Sequence, residues 1–241
     1  MFLLGTHHAF WLGSAGVPLF VSRRALLHRP TRRRAIAPWA LDSGGFTELA
    51  RGGWDISPRE YIAQVRGWRD NLGSMLWAAP QDWMCEPSML QHTGLTIAEH
   101  QRRTVTNYLE LRSIAPDVPW VPVLQGWSEA DYMRCADAYE AAGVQLAELP
   151  LVGVGTVCRR QHTHEAAEII DACATRAPRL HGFGFKIQGL ARCKLASADS
   201  LAWSYNARRN PPLPGHRHKH CNNCMEWALQ WRERALHAAD L

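Results

Sequence analysis

The sequence predicts an α/β fold, a TIM-like (β/α)8 barrel that ends in a segment rich in histidine and cysteine and in a terminal helix. The prediction rests on the chain length, on eight short apolar runs, and on helix start signals between several of these runs. A chain of 241 residues has the size of a single-domain barrel. We therefore expect one domain over residues 1–241, with the His/Cys segment and the terminal helix at 210–241.

The eight apolar runs have the length and the composition of buried parallel strands. They cover residues 1–4, 17–21, 39–41, 75–79, 118–124, 146–152, 180–185 and 195–198. Strand and helix signals alternate along the chain, which indicates a parallel sheet, and this number of strands favours a closed barrel over an open sheet. The links at 5–16 and 22–38 carry only weak helix signals.

Helix start signals stand between several of the apolar runs. Two segments, Ser57 to Glu60 and Thr96 to Glu99, have the capping-box pattern, in which a Ser or Thr is followed three residues later by Glu. The segment from Ser128 to Asp131 opens another helix. Pro58 stands at the first helical position of its segment, and Gly143 can end the third helix. A last helix is predicted at 225–237, after the Pro-rich stretch 210–215.

The composition is that of an ordinary globular protein. Hydrophobic residues make up 46% of the chain and charged residues 20%, a balance that excludes a disordered or fibrous class. No apolar run approaches the ~20 residues of a membrane-spanning helix, and the N-terminus lacks the basic region of a signal peptide, so we expect no membrane contact. The seven cysteines are an odd and scattered set, which indicates a reducing cytoplasm rather than a disulfide framework.

The chain is basic, with a formal net charge of +5, and its basic residues cluster between Arg23 and Arg34. Such a cluster suits contact with a phosphate backbone, and it is equally compatible with a solvated loop between two strands. The eleven tryptophans can stack on bases, although they more often pack cores and loops. Charge and aromatic content therefore permit nucleic-acid binding without requiring it.

The residues that follow the apolar runs carry most of the chemistry. In a parallel barrel the C-terminal ends of the strands meet at one mouth, where reactive groups sit. The groups found there are Asp42-Ser43-Gly44-Gly45-Phe46, Asp82, Gln125-Gly126, Gly153-Val154-Gly155 and Asp199-Ser200. A single strand-end Asp is more often a helix cap, and a Gly pair is usually a turn. Their coincidence on successive strands predicts one site.

These motifs, in this order, resemble the base-binding motifs of the queuine/archaeosine tRNA-guanine transglycosylase superfamily. The resemblance rests on 42–46, on Asp82-Trp83-Met84-Cys85, on 124–126 and on 153–155. It is strongest toward the shorter branch of phage and bacterial enzymes that insert 7-deazaguanines into DNA, which also matches at 39–41, 79–81, 157–160 and 198–200. The similarity covers nearly the whole chain. It implies a pentosyltransferase that exchanges guanine for a 7-deazaguanine base.

The resemblance implies separate tasks for two carboxylates. Asp199 matches the family nucleophile, which attacks the sugar C1′, displaces guanine and leaves a covalent glycosyl-enzyme. Asp42 matches the general acid/base, which protonates the departing purine and takes the proton of the incoming base. Two successive inversions conserve the anomeric configuration, as in retaining glycosidases.

The resemblance also implies how the base is read. Asp82 would accept hydrogen bonds from N1–H and the exocyclic amine of guanine, a donor pair that adenine lacks. The full set of candidate base-binding residues is Ser43, Gly44, Gly45, Phe46, Asp82, Gln125, Gly126, Gly153 and Gly155. The target base must leave its stack to reach such a mouth, so base flipping or a distorted strand is implied. Candidate phosphate contacts are Arg159, Arg160, Lys186, Arg208 and Arg209.

A second constellation is the segment His216-Arg217-His218-Lys219-His220-Cys221-Asn222-Asn223-Cys224. Two thiolates at C-x2-C spacing with histidines just before them can complete a tetrahedral Zn²⁺ site, and the alternative is a basic His-rich loop. We expect a structural zinc ion bound by His216, His218, Cys221 and Cys224, with His220 as a substitute for either histidine. The tRNA enzymes have a different pattern, Cys-x-Cys-x2-Cys with a distant His.

The expected partners are DNA and a free 7-deazaguanine base, with tRNA as the second substrate candidate, because the chain is short and no separate RNA-binding domain is evident. A homodimer or accessory DNA-modification proteins are compatible with the sequence. The expected location is the cytoplasm of a bacterial or phage-infected cell. Two other functions stay open: a barrel hydrolase or nucleoside-cleaving enzyme with the same carboxylates, and a non-catalytic zinc-containing DNA-binding module.

Overall fold

The computed structural model describes residues 1–28, 33–156, 164–185 and 195–238. Its strands are β1 (Phe2–Thr6), β2 (Leu19–Ser22), β3 (Trp39–Asp42), β4 (Met75–Ala78), β5 (Val123–Leu124), β6 (Val152–Val154), β7 (Leu180–Gly182) and β8 (Ser197–Ser200). All strand pairs are parallel, in the order β4-β3-β2-β1-β8-β7-β6-β5. The two ends of this order meet where Ala78 bridges Trp120. The predicted TIM-like α/β fold is confirmed.

The described helices follow the strands on the outside of the barrel. They are α1 (Arg23–His28), α2 (Gly45–Leu49), α3 (Pro58–Leu72), α4 (Pro87–Thr93), α5 (Ile97–Ile114), α6 (Glu129–Ala141), α7 (His164–Arg176), α8 (Ala202–Ala207) and α9 (Met225–Ala238), with 3-10 turns at Ala9–Gly13 and Leu146–Glu148. None of the described helices is both long enough and apolar enough to cross a lipid bilayer.

The predicted helix starts are confirmed by their hydrogen bonds. Ser57 and Glu60 form a complete capping box at the start of α3, and the Ser128–Asp131 segment does the same for α6. At the start of α5, Thr96 accepts from the Glu99 amide. The Glu99 carboxylate pairs with two arginines of its own helix instead of accepting from the Thr96 backbone N–H. Local sequence therefore sets where these helices begin.

Two predicted strands are shorter in the structure because proline interrupts them. The run at 118–124 contributes only β5 and the single bridge at Trp120, since Pro119 and Pro122 have no N–H to donate to a ladder. The strand predicted at 146–152 was wrong over most of its length: residues 146–148 form a 3-10 turn, and β6 begins after Pro150, at Val152. The last strand runs to Ser200, so it contains Asp199 rather than ending before it.

Alternate residues of the strands fill two different layers. One set points into the barrel and packs into a central plug that includes Leu3, Phe20, Ala40, Trp77 and Val121. The other set packs outward against the helices in the larger hydrophobic cluster. This period-two arrangement is that of parallel barrel strands with both faces buried. The plug fills the barrel beneath the C-terminal mouth, and the polar groups of the site lie above it.

Candidate active site

A cavity of about 240 Å³ opens at the C-terminal mouth of the barrel. Its walls include Asp42 at the end of β3, Asp82 after β4 and Asp199 in β8, together with Gln125 and Gly155. The structure therefore brings the three predicted strand-end carboxylates and the predicted amide to one place. Small-molecule sites typically measure about 300–1,000 Å³, so this volume suits a compact ring system rather than a large cofactor.

Asp82 is held by a chain of hydrogen bonds. Ser43 Oγ donates to Asp82 Oδ1 at 3.0 Å, and Gln125 Nε2 donates to Asp82 Oδ2 at 2.6 Å. Thr156 Oγ1 donates to Gln125 Oε1 at 2.6 Å and so fixes which way the amide faces. Among the described side chains, Ser43 donates to one carboxylate oxygen and Gln125 to the other, and each oxygen has further lone-pair capacity to accept from a ligand.

Thr156 has a left-handed backbone conformation, with φ at +61°. This conformation is uncommon for a β-branched residue and costs on the order of 1–3 kcal/mol. The Thr156 hydroxyl accepts from the Cys85 amide at 3.0 Å while it donates to Gln125, which ties the loop after β6 to the loop after β4. The preceding Gly155 leaves room for this contact, since a Cβ there would lie 2.4 Å from Gln125 Nε2.

Asp199 is 6% exposed and is anchored through one oxygen. Its Oδ1 accepts from the Gly184 amide at 3.0 Å and lies 3.3 Å from His181 Nε2. His181 Nδ1 in turn lies 2.8 Å from Ser197 Oγ. All of these contacts are satisfied when Nε2 carries the imidazole proton and Ser197 donates to Nδ1. Among the described residues nothing donates to Asp199 Oδ2, which leaves that oxygen for chemistry.

The pKa values of the other two carboxyls are raised toward neutrality. Burial raises the pKa of Asp42 to about 6, and the nearby charge of Asp199 adds to the shift, while hydrogen bonds from the Gly44 amide and the Ser22 hydroxyl oppose it. Burial and the charge of Asp42 raise the pKa of Asp82 to about 7 against its two hydrogen-bond donors. Carboxyls with pKa values near neutrality can gain and lose protons under physiological conditions, which acid/base catalysis requires.

The other predicted base-binding residues take several positions. Phe46 stands at the cavity, 43% exposed, and Ser43 is buried behind Asp82. Gly44 adopts a left-handed φ of +80°, and Gly45 packs against Asp82, where a Cβ would lie 3.2 Å from Oδ1. The cavity lining does not include five of the predicted residues, Ser43, Gly44, Gly45, Gly126 and Gly153. Gly126 packs against the start of α6, and Gly153 lies beneath the Phe183 ring.

The predicted phosphate contacts are only partly within the described chain. Arg159, Arg160 and Lys186 lie outside the described residues. Arg208 is exposed just after α8, and the Arg209 guanidinium stacks 3.4 Å above the exposed Tyr205 ring. Both arginines come one short helix after β8, the strand that carries Asp199, and neither lines the cavity.

Sequence reasoning missed three residues of this site. His181 and Thr156 were not singled out, and neither was Glu86, a buried residue that lines the cavity. The available signal for His181 was a polar residue inside an otherwise apolar strand, paired in register with Ser197 of β8. Thr156 directly follows a recognised glycine motif, and its role depends on a backbone conformation that spacing alone does not predict.

The C-terminal segment brings four metal-binding side chains together. The ligand atoms of His216, His218, Cys221 and Cys224 all lie within 4.8 Å of one another. Ligand atoms of a tetrahedral zinc site are separated by about 3.3–3.8 Å, given zinc–ligand bonds of 2.0–2.3 Å. Glu226 lies 3.1 Å from His216 Nε2, so Nδ1 is the ligand atom and the carboxylate orients the ring from behind. The donor set fits a closed, structural zinc site.

We expect metal removal to loosen the C-terminal segment and its helix. Each folded chain should contain about one zinc ion, and Cys221→Ser should lose it together with much of the thermal stability, because the site links this segment to α9. Elemental analysis and thermal unfolding measure the two effects. The matched control is His220→Ala in the same segment, which should retain both metal and stability. A folded wild-type protein without zinc would contradict the expectation.

Comparisons with known proteins identify a family and a fold. A family model described as DpdA, DeoxyPurine in DNA protein A, matches residues 1–241. Among solved structures, a protein from Coccidioides immitis described as a fructose-1,6-biphosphate aldolase is similar to the chain, with a TM-score of 0.55 and 13% sequence identity over 100% of this chain and 89% of that one. At that identity the similarity shows the fold alone. No curated protein matches the chain.

Proposed function

The chain belongs to the DpdA family of DNA deoxypurine proteins, and from that premise we propose that it exchanges guanine in DNA for a free 7-deazaguanine base through a covalent glycosyl-aspartate intermediate. The observation that carries the proposal is the convergence of three carboxylates from β3, β4 and β8 on one cavity of base-like size. Such an arrangement separates three tasks that base exchange requires: nucleophilic attack, proton transfer and base recognition.

The proposed reaction has two displacements. Asp199 Oδ2 attacks C1′ of the target nucleotide, and the bond from C1′ to guanine breaks while Asp42 gives its proton to the departing base. The incoming 7-deazaguanine then loses its proton to Asp42 and attacks C1′, which releases Asp199 as a carboxylate. Both inversions occur at one carbon, so the configuration is retained and no outside reagent is consumed.

An exchange assay tests this function. Purified protein is incubated with DNA carrying isotopically labelled guanine and with a free 7-deazaguanine, and digested nucleosides are analysed by mass spectrometry. We expect stoichiometric release of labelled guanine and incorporation of the deazaguanine. Incorporation into tRNA but never into DNA under matched conditions would move the substrate to tRNA. Guanine release without incorporation would indicate a hydrolase.

We propose that Asp82 recognises guanine by accepting hydrogen bonds from its N1–H and its exocyclic amine. Asp82→Ala should weaken base binding by about 1–3 kcal/mol for each of the two hydrogen bonds lost, and Asp82→Asn should mispair one of the two donors. Both variants should fold, since Ser43 and Gln125 can bond each other or water. Isothermal titration with free 7-deazaguanine measures the loss, and unchanged affinity in Asp82→Ala would remove Asp82 from the base site.

Base binding should also depend on pH through Asp82. The carboxyl is neutral below its pKa of about 7 and ionised above it, and only the ionised form accepts from two donors at once. Affinity for the free base should therefore fall as the pH is lowered from 8 to 6. The control is Asp82→Asn, whose weaker affinity should be flat over this range.

A further inference from the structure

A second pocket, of about 340 Å³, lies beside the active-site cavity over the ends of β1 and β2. It is lined by His7, His8, Arg24, Ala25, His28 and Asn223. The two pockets are neighbours, because Thr6 and Ser22 line the active-site cavity while His7 and Arg24, one and two residues farther along the chain, line this one. We propose that the second pocket binds a backbone phosphate of the target DNA strand, an assignment that rests on the proposed function.

The position of the pocket follows from the strand order. In the barrel β1 and β2 stand between β8, which carries Asp199, and β3, which carries Asp42. The proposed base-recognising residues Asp82 and Gln125 follow β4 and β5, which lie beyond β3 around the barrel. A nucleotide whose base reaches Asp82 and whose C1′ lies between the two catalytic carboxylates has its sugar next to β1 and β2. The phosphates attached to that sugar then meet the second pocket.

The charge of the pocket suits a phosphate. Arg24 Nη1 and Arg23 Nη1 both lie 3.0 Å from the same oxygen of Glu48, so two guanidiniums share one carboxylate and a positive charge remains. Arg23 is buried, whereas 21% of the Arg24 side chain is exposed toward the pocket. The planar fork of a guanidinium can donate two parallel hydrogen bonds to two oxygens of one phosphate.

Arg24 is also held in place before any ligand arrives. Its stem packs on the glycine turn that follows Asp42, where a Cβ at Gly44 would lie 3.1 Å from Arg24 Cγ. Its Nη2 lies 3.1 Å from His28 Nε2, and the exposed rings of His7 and His28 form part of the pocket wall. A pre-positioned arginine loses little side-chain entropy on binding, so the contact strengthens binding more than a flexible surface lysine would.

The salt dependence of DNA binding tests the proposal without requiring catalysis. Affinity for a short guanine-containing duplex is measured at several salt concentrations for wild type, Arg24→Gln and Arg24→Lys. Arg24→Gln should weaken binding roughly tenfold and reduce the slope of log K against log salt by about 0.9, the value for one phosphate contact. Arg24→Lys should keep the slope and lose part of the affinity.

The matched control is Arg112→Gln, which removes the same charge from an exposed position at the C-terminal end of α5, the end that leads into the start of β5 and so lies away from the C-terminal mouth. It should leave the slope unchanged. A folded Arg24→Gln protein with wild-type affinity and slope, or one no different from Arg112→Gln, would overturn the phosphate assignment while the proposed function stands. Wild-type protein that binds no DNA at all would overturn the proposed function itself.

A competition experiment distinguishes a site for backbone phosphate from a site for free phosphate. Millimolar inorganic phosphate should compete with DNA only weakly in wild type, because the DNA is held by several contacts at once. If Arg24→Gln abolishes inhibition of base exchange by inorganic phosphate but leaves DNA affinity unchanged, the pocket is a site for free anions and the backbone assignment is wrong.

Discussion

Asp199→Asn is expected to abolish base exchange, with a fall in rate of roughly 10⁴-fold or more, the usual scale for loss of a covalent nucleophile. The amide has the shape of the carboxylate but cannot attack C1′. Without the glycosyl-enzyme neither displacement can proceed, so guanine release and deazaguanine incorporation should disappear together. Labelled-base exchange measures both halves of the reaction.

The surroundings of Asp199 make the asparagine variant the sharper test. His181 Nε2 and the Gly184 amide both face Oδ1, and an asparagine oxygen accepts from them as a carboxylate oxygen does. The barrel plug around His181, where the Trp77 ring centroid lies 4.7 Å away, should therefore stay packed. Loss of activity in Asp199→Asn then reports chemistry rather than unfolding, which Asp199→Ala alone would not separate.

The covalent intermediate gives an independent measurement. Wild-type protein incubated with DNA, without free base, should form an adduct that survives denaturing electrophoresis, and peptide mapping should place it on Asp199. Asp199→Asn should form none. An adduct that persists in this variant would place the nucleophile elsewhere, with Asp42 as the first carboxylate to examine.

Much of the fold followed from local sequence, because its signals act over a few residues. The capping residues Ser57 and Ser128 fix helix starts through bonds to residues three positions away, and the apolar runs mark strands that are buried on both faces. The largest errors occurred where proline enters an apolar run. Leu146 is buried but lies in a 3-10 turn, and Pro150 stands between it and β6. A pattern of hydrophobic residues does not show that proline lacks the N–H that a strand needs.

The site was predictable where residues stand at strand ends and was missed where function depends on three-dimensional contact. Asp42, Asp82 and Gln125 follow recognisable strand signals, and parallel topology alone brings them to one mouth. His181 contacts Ser197 and Asp199 on the neighbouring strand, and the spacing between residues 181 and 199 does not predict the register in which the two strands pair.

Asp42→Asn is expected to slow exchange by about 10²–10⁴-fold, the usual effect of losing a general acid/base. The guanine anion is a poor leaving group, and in this variant no proton reaches it as the bond to C1′ breaks. Asp199 keeps its place, so a glycosyl-enzyme should still form slowly. Single-turnover kinetics of guanine release compare the two variants directly.

The pH dependence should change with the same substitution. Burial disfavours the charged form of Asp42 and raises its pKa to about 6, so the carboxyl is protonated below that pH and loses its proton above it. Because the first displacement needs the protonated acid, its rate in wild type should fall as the pH rises above about 6. Asp42→Asn should be slow at every pH and lack this decline.

A leaving group that needs no proton should rescue Asp42→Asn selectively. DNA containing 7-methylguanine carries a cationic base that departs as a neutral molecule, so the general acid is dispensable for its release. Asp42→Asn should release 7-methylguanine at a rate close to wild type above the spontaneous background, whereas Asp199→Asn should not exceed that background. Equal failure of both variants on this substrate would contradict an acid/base role for Asp42 and indicate instead that it positions the nucleotide.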